Sequence, residues 1–295
     1  MSQECQISVR FHAPPEDLRR FFTTFYLTEF DVPVGETVED SLHPEWAGLR
    51  LFDGQGPVSW IDGQPPLATT FSVTGPTSRA VNFKVGATRF WGIGLLPLGW
   101  AQFAAGPAIE CANLVGDGLT VPAFAPFLPL WDGLFDGRAD ESAELERIIA
   151  FFRARATPPC RDSERIVAIH AALVDPGVWT VAELVRRVGV GQRTVERLCQ
   201  RAFGFAPKVL LRRQRIMRSI AQFMLDPSLK WIGAIDSHYH DQAQFVRDFH
   251  EFMGCTPREY AARPHPVLLT FMRERARIAG AAVQTLDRPE GVGPR

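Results

Sequence analysis

A chain of 295 residues with 46% hydrophobic content is long enough for two domains and supplies material for two cores. Its net charge of −1 argues against a uniformly basic nucleic-acid binder, and no uncharged apolar run reaches the ~18 residues of a membrane-spanning helix. Five scattered cysteines (Cys5, Cys111, Cys160, Cys199 and Cys255) form no CxxC pair and read as reduced thiols. The opening MSQECQISVRF lacks a basic-then-apolar leader, so a soluble, cytoplasmic chain is expected.

In chain order, residues 8–12 alternate like a strand. Pro14, Pro15, Glu16 and Asp17 suggest a helix start, with a strand to follow over residues 22–30. Residues 41–138 are punctuated by Gly and Pro, with short β-type runs at 48–52, 69–73, 81–85 and 87–94. That spacing predicts a β-sandwich or barrel. A helix is expected within 95–107. Phe71, Phe83, Phe90, Trp91, Trp100 and Phe103 are candidates to line an apolar ligand pocket, and Arg89 and Lys84 to meet a ligand carboxylate; core packing and salt bridges are the plainer alternatives. His12 and His43 are the only histidines before residue 138, too few for a His-rich metal cluster, so neither metal nor cofactor is expected.

Residues 139–160 read as a linker. A helix over 141–156 carries Leu145, Ile148, Ile149 and Phe152 on one stripe, too apolar for an isolated linker. The stripe suggests a homodimer seam, or packing back onto the N-terminal module. Thr157-Pro158-Pro159 breaks this helix, and Ser163–Val174 forms the next.

Residues 180–260 write one unit twice. Gln192 and Gln242, Arg197 and Arg247, Gly204 and Gly254, and Pro207 and Pro257 are each offset by 50. In the first copy, Thr180 with Glu183 fits a capping box. Gly189-Val190-Gly191 makes the turn, and Val195, Leu198, Cys199, Ala202 and Phe203 form the buried stripe of the second helix. In the second copy, Trp231, Ile232 and Ile235 precede a turn at His238-Tyr239-His240. Asp241 is a good N-cap there, and Phe245, Phe249, Phe252 and Met253 are the stripe. Pro207–Leu225 reads as one helix between the copies, roughly 28 Å long at 1.5 Å per residue. A short helix, a tight turn and an Arg/Gln-rich second helix is the grammar of a helix-turn-helix, and Arg and Gln can bond base edges in pairs.

On GQRTVERLCQRAFG and HDQAQFVRDFHEFMGCTPREY, residues 161–263 resemble the DNA-binding domain of the AraC/XylS family of transcription regulators. The resemblance implies an all-α C-terminal domain with two helix-turn-helix units on one long helix, beside an N-terminal cupin-like sensor module, an α+β chain overall. It implies DNA contacts from Gln192, Arg193, Glu196, Arg197 and Arg201, and from Gln242, Gln244 and Arg247. It also implies double-stranded DNA, a small-molecule effector, RNA polymerase and a second copy as partners. The family usually has Gly where His238 stands and a small apolar residue where Asp236 stands. Retained family geometry would put His238 at positive φ, a strained position for a side chain.

Dividing the chain resolves the charge. Residues 161–263 hold 16 Lys+Arg against 11 Asp+Glu, whereas residues 1–160 hold 11 against 19. A basic reader on an acidic module suits phosphate attraction. The expected order is a sensor at 1–138, linker at 139–160, reader at 161–263 and a C-terminal tail at 264–295, with a helix over 267–279 and a Gly/Pro-rich, frayed stretch over 285–295. A cupin-type enzyme with a DNA anchor, or a ligand-independent DNA-binding protein, are the alternatives; no nucleophile triad or phosphate loop supports the enzyme.

Overall fold

The computed structural model describes residues 6–226, 229, 231–279 and 282–289, apart from the side chains of 232 and 279. Cys5, the Ile232 side chain and residues 290–295 lie outside that set.

The N-terminal strands are β1 (Gln6–His12), β2 (Phe22–Asp31), β3 (Val38–Leu42), β4 (Gly48–Asp53), β5 (Val58–Trp60), β6 (Leu67–Ala68), β7 (Phe71–Thr74), β8 (Val81–Val85), β9 (Thr88–Leu95) and β10 (Val115–Asp117). They form a six-stranded sheet, β1-β2-β9-β4-β7-β10, and a four-stranded sheet, β3-β8-β5-β6, both antiparallel. The sheets share no strand, so the module is a sandwich and not a closed barrel. The helix expected ahead of β2 is a turn instead, with Leu18 and Arg19 amides bonding the Pro15 carbonyl. The β-favouring run claims the chain from Phe22 onward.

Helices follow: α1 (Pro97–Phe103), α2 (Leu128–Leu134), α3 (Glu141–Arg153), α4 (Ser163–Val174), α5 (Val181–Val188), α6 (Gln192–Leu198), α7 (Pro207–Leu225), α8 (Trp231–Ala234), α9 (Gln242–Met253), α10 (Pro257–Ala262) and α11 (Pro266–Ala279). Side chains alternate along strands, so the six-stranded sheet buries two different faces. Phe25, Leu27, Leu49, Leu51, Phe71, Val73, Trp91 and Ile93 join the helices in one core. Tyr26, Phe30, Phe52 and Phe90 turn the other way and meet Phe83, Val85 and Val267.

The helix α3 is part of the helical layer. Phe152 is fully buried and sits 4.5 Å from Phe22 and 5.1 Å from Phe103, centroid to centroid. Ile148 is equally buried, while Leu145 and Ile149 pack half-buried against the same core. The expected dimer seam is corrected to that extent: Ile148 and Phe152 have no surface left for a second copy. Glu144 is buried on the same helix and accepts hydrogen bonds from Trp91 Nε1 at 2.6 Å and Arg89 NH1 at 3.0 Å.

The two modules share an interface. The Ala80 amide bonds the Phe252 carbonyl, and His43 Nε2 lies 2.7 Å from the Tyr260 hydroxyl. Arg213 of α7 is fully buried, donates to the Glu45 and Thr77 carbonyls, and lies 4.1 Å over the Trp46 ring. The helix expected over 267–279 is present as α11, and the expectation of fraying from residue 285 is corrected over 285–289. Met272 and Val283 join the core of the second repeat, and Thr285 and Asp287 are buried. Gln284 accepts from the Trp46 amide at 2.8 Å. Apolar residues and buried hydrogen bonds hold a segment that composition alone marked as loose.

Candidate functional site

The 50-residue repeat is visible in three dimensions. Residues 191–200 and 241–250 have the same sequence of exposed, half-buried and buried positions, residue for residue. Val195, Leu198 and Cys199 are buried in the first copy, and Phe245, Asp248 and Phe249 in the second. Both reading stretches end at a left-handed glycine, Gly204 at φ 80° and Gly254 at φ 69°, where a side chain would be strained. Burial of the shared face turns Gln192, Arg193, Arg197 and Arg201 outward on one unit and Gln242 and Arg247 on the other, with Glu196 and Gln244 half-exposed.

The first unit is built from local signals. The Thr180 hydroxyl accepts from the Glu183 amide at 3.2 Å, and the Glu183 carboxylate accepts from the Thr180 amide at 2.9 Å, the reciprocal capping box. Gly189 at φ 72° stops α5, and a three-residue turn leads into α6. The buried Cys199 thiol is pushed up to about 12 by burial, so it serves as a packing group and not a nucleophile. On the outer face Gln192 Nε2 donates to Glu196 at 2.8 Å, and Arg197 lies 3.6 Å from Asp162. Arg193, Arg201 and Arg247 make no ion pair among the described residues.

The second unit is assembled differently. Its first helix, α8, has four residues, and seven residues separate it from α9. Asp241 caps α9 as expected, accepting from the Gln244 amide at 2.6 Å. His238 does not have positive φ, and the expectation of a strained family turn is thereby overturned. The Asp236 side chain explains why: its Oδ1 accepts from the His238 amide at 3.0 Å and lies 2.9 Å from His238 Nδ1, closing a local turn that needs no glycine. Its Oδ2 accepts from Arg218 Nε at 2.6 Å, and its amide donates to the Ser219 hydroxyl. Burial works to raise the Asp236 pKa, but the His238 amide and Arg218 outweigh it and hold the carboxyl below its ordinary value.

The connecting helix supplies residues that the sequence reading did not single out. Arg212 and Arg215 both donate to the buried carboxylate of Asp248, and the Tyr239 hydroxyl joins them at 3.2 Å. Lys208, Arg212 and Arg215 line a cleft of about 530 Å³ between the units, with Trp179, Gln244 and Arg247 on its sides. The cationic run at 208, 212 and 215, at helical spacing on one face, was the signal that could have shown it.

In the N-terminal module, the expected pocket residues separate. Phe71, Trp91 and Trp100 belong to the helical core, and Arg89 is paired to Glu144. Of the aromatic candidates, Phe83 and Phe90 line a cavity between the two sheets. It encloses about 40 Å³, walled by Tyr26, Phe52, Phe83, Phe90, Val267 and Phe271 among others. The missed residues lie on the opposite strand face, which alternation alone could not choose between because both faces are buried.

The match to known families falls on the two units: residues 184–263 fit the model of a helix-turn-helix domain. No curated protein matches the chain. Among solved structures, ToxT from Vibrio cholerae O395 bound to (E)-4-(8-methylnaphthalen-1-yl)but-3-enoic acid is 12% identical, covering 88% of this chain and 98% of that one at a TM-score of 0.43. The AraC-like transcriptional activator CuxR is 14% identical, covering 73% and 87% at a TM-score of 0.24. No helix among the described residues is long and apolar enough to cross a membrane. With paired bihelical units on one connecting helix and the domain match lying across them, residues 184–263 are an AraC-type helix-turn-helix domain.

Proposed function

We propose that α6 and α9 read successive major-groove segments of double-stranded DNA, under the control of a small molecule held by the cupin-like N-terminal module. The carrying observation is the repeated exposure pattern, which presents Arg193 and Arg197 on one helix and Gln242 and Arg247 on the other, above faces buried at the same positions. Gln192, Glu196, Arg201 and Gln244 complete the two surfaces. The connecting helix is roughly 28 Å long at 1.5 Å per residue, against a groove repeat of about 34 Å, so its ends suit adjacent grooves. Lys208, in the cleft between them, is placed to meet the phosphate backbone.

The resemblance supports the finer points: residues 1–138 as the sensing module, 139–160 as its linker and 161–263 as the reader. RNA polymerase is a further partner on the same ground, and the setting is the cytoplasm. A second copy of the chain would have to use a surface other than Ile148 and Phe152. Footprinting of the purified protein on its own promoter region, with and without metabolite extract, tests the proposal. Two protected segments about one helical turn apart are expected. A single protected segment would remove one of the two readers from the interface.

A further inference from the structure

The C-terminal helix α11 has two jobs at once. Val267 and Phe271, one turn apart, form part of the sandwich cavity wall. Leu268 and Met272, the next residue along in each case, sit in the core of the second helix-turn-helix unit with Phe249, Phe252 and Tyr260. The helix is fastened to the sensor at its start and again near its C-terminal end. Asp40 of β3 accepts from the Val267 and Leu268 amides at 2.9 and 2.8 Å, and Arg275 donates to the Thr24 hydroxyl at 3.0 Å. Any movement of its cavity face is therefore a movement of the second reader's core.

The cavity has a defined chemistry. Its cation, Arg50, is already neutralised: NH2 lies 2.9 Å from both Glu45 carboxylate oxygens, and Thr74 donates to the same carboxylate. An anionic ligand would have to displace Glu45, and a cationic one would find Glu45 spent. The remaining wall is aromatic and aliphatic, with Ser59 and Ser72 making no side-chain hydrogen bond among the described residues. Those hydroxyls can serve one polar group of a ligand. At 40 Å³ the space holds about three waters at roughly 10–15 Å³ each, far below the ~300 Å³ of an ordinary ligand pocket. A larger occupant must move a wall. The strand walls are locked into their ladders, whereas Phe271 stands on a helix that belongs to neither sheet.

We propose that this cavity binds a small uncharged molecule, mainly apolar with one hydrogen-bonding group, and that α11 is the wall that yields to it, carrying occupancy to the second reader. This deepens, and rests on, the reading of the chain as a ligand-controlled regulator. It places the moving part in residues 266–279, outside the matched helix-turn-helix domain.

The test uses the full chain with three probes of one shape: benzyl alcohol, benzoate and benzylammonium. Binding is followed by thermal shift, and backbone response by hydrogen–deuterium exchange. Benzyl alcohol alone is expected to bind, slowing exchange in β7 and β8 and speeding it in α11 and α9. Phe271→Ala removes the obstructing ring and should tighten benzyl alcohol on the order of tenfold. Val267→Phe fills the space and should abolish binding. Equal binding of the three probes, or no binding even to Phe271→Ala, overturns the ligand class. Bound benzyl alcohol with unchanged α11 exchange overturns the yielding wall. DNA affinity is measured separately on the footprinted segment. If α11 loosens but DNA affinity does not move, the proposal stands and the ligand-controlled reading fails.

Discussion

The two reading units show the same face to solvent and reach it by different means. The first is made by its own sequence: a capping box, an eight-residue helix, a left-handed glycine and a short turn. The second has a four-residue first helix and a long turn, and it is held in shape by α7, whose Arg212, Arg215, Arg218 and Ser219 bind Asp248, Asp236 and the His238 carbonyl. Position 198 carries a buried Leu where position 248 carries a buried Asp. Local propensity and tertiary ties are therefore interchangeable routes to one geometry. They fail differently, which makes the difference measurable.

The largest break is expected at Asp248. Replacing it with Ala leaves Arg215 half-buried without its carboxylate, and loss of one partner of a buried pair costs about 3–5 kcal/mol. Urea unfolding should show that loss, with hydrogen exchange rising in α9 and not in α6. Uniform exchange across both units would remove the distinction between them.

A buried histidine also sits near each unit's boundary with the sensor. His170 of α4 packs on Trp46 and lies 6.4 Å from Phe203 of the first unit, while His43 contacts Tyr260 beyond the second. Burial pushes both down to about 3. The unfolded chain protonates them near pH 6.5, so between about 3 and 6.5 the unfolded state carries more protons. Stability is complete above that window and falls on acidification, by roughly 1.4 kcal/mol per pH unit for each histidine. Asp287, raised to about 6 by burial, works in the opposite sense below pH 6. The difference between wild type and each of His170→Gln and His43→Gln isolates the histidine part. Parallel pH curves for wild type and both variants would refute it.

At the DNA face, Arg197→Ala should cost on the order of 1–3 kcal/mol of binding and relax one base position. Arg247→Ala should cost as much if the second unit reads bases. A uniform loss across sequences for Arg247 alone would make the second unit a phosphate clamp and sharpen the asymmetry.

What the sequence disclosed follows from range. Caps, stripes and the stop at Gly204 depend on neighbours within a few residues, so the helices at Ser163–Val174 and Pro207–Leu225 are legible to the residue. The outward set Gln192, Arg193 and Arg197 is legible because it is the complement of a local stripe. The buried role of Arg213 is not, since its partners are carbonyls at residues 45 and 77. Nor is the choice of Phe90 over Trp91 for the cavity, because both faces of β9 are apolar. The apolar stripe of α3 was legible as a stripe, but a periodicity cannot say whether its partner is another copy or the sheet beside it.

The smallest effect is at His238. A family turn with positive φ would have made His238→Gly stabilising, because glycine relieves the strain. The turn here has ordinary backbone at that position, so relief is not on offer. Glycine would instead gain freedom in the unfolded chain, a cost of roughly 0.5–1 kcal/mol. It would also lose the ring contact with Asp236 and the packing on Trp179. That second contact joins the turn of the second unit to the residue preceding the capping box of the first, so the substitution touches both. A modest drop in Tm is expected, with DNA affinity reduced in step if the two readers depend on each other for alignment. A rise in Tm would return the second unit to the family geometry and undo the contrast between a unit made locally and one held by its neighbours.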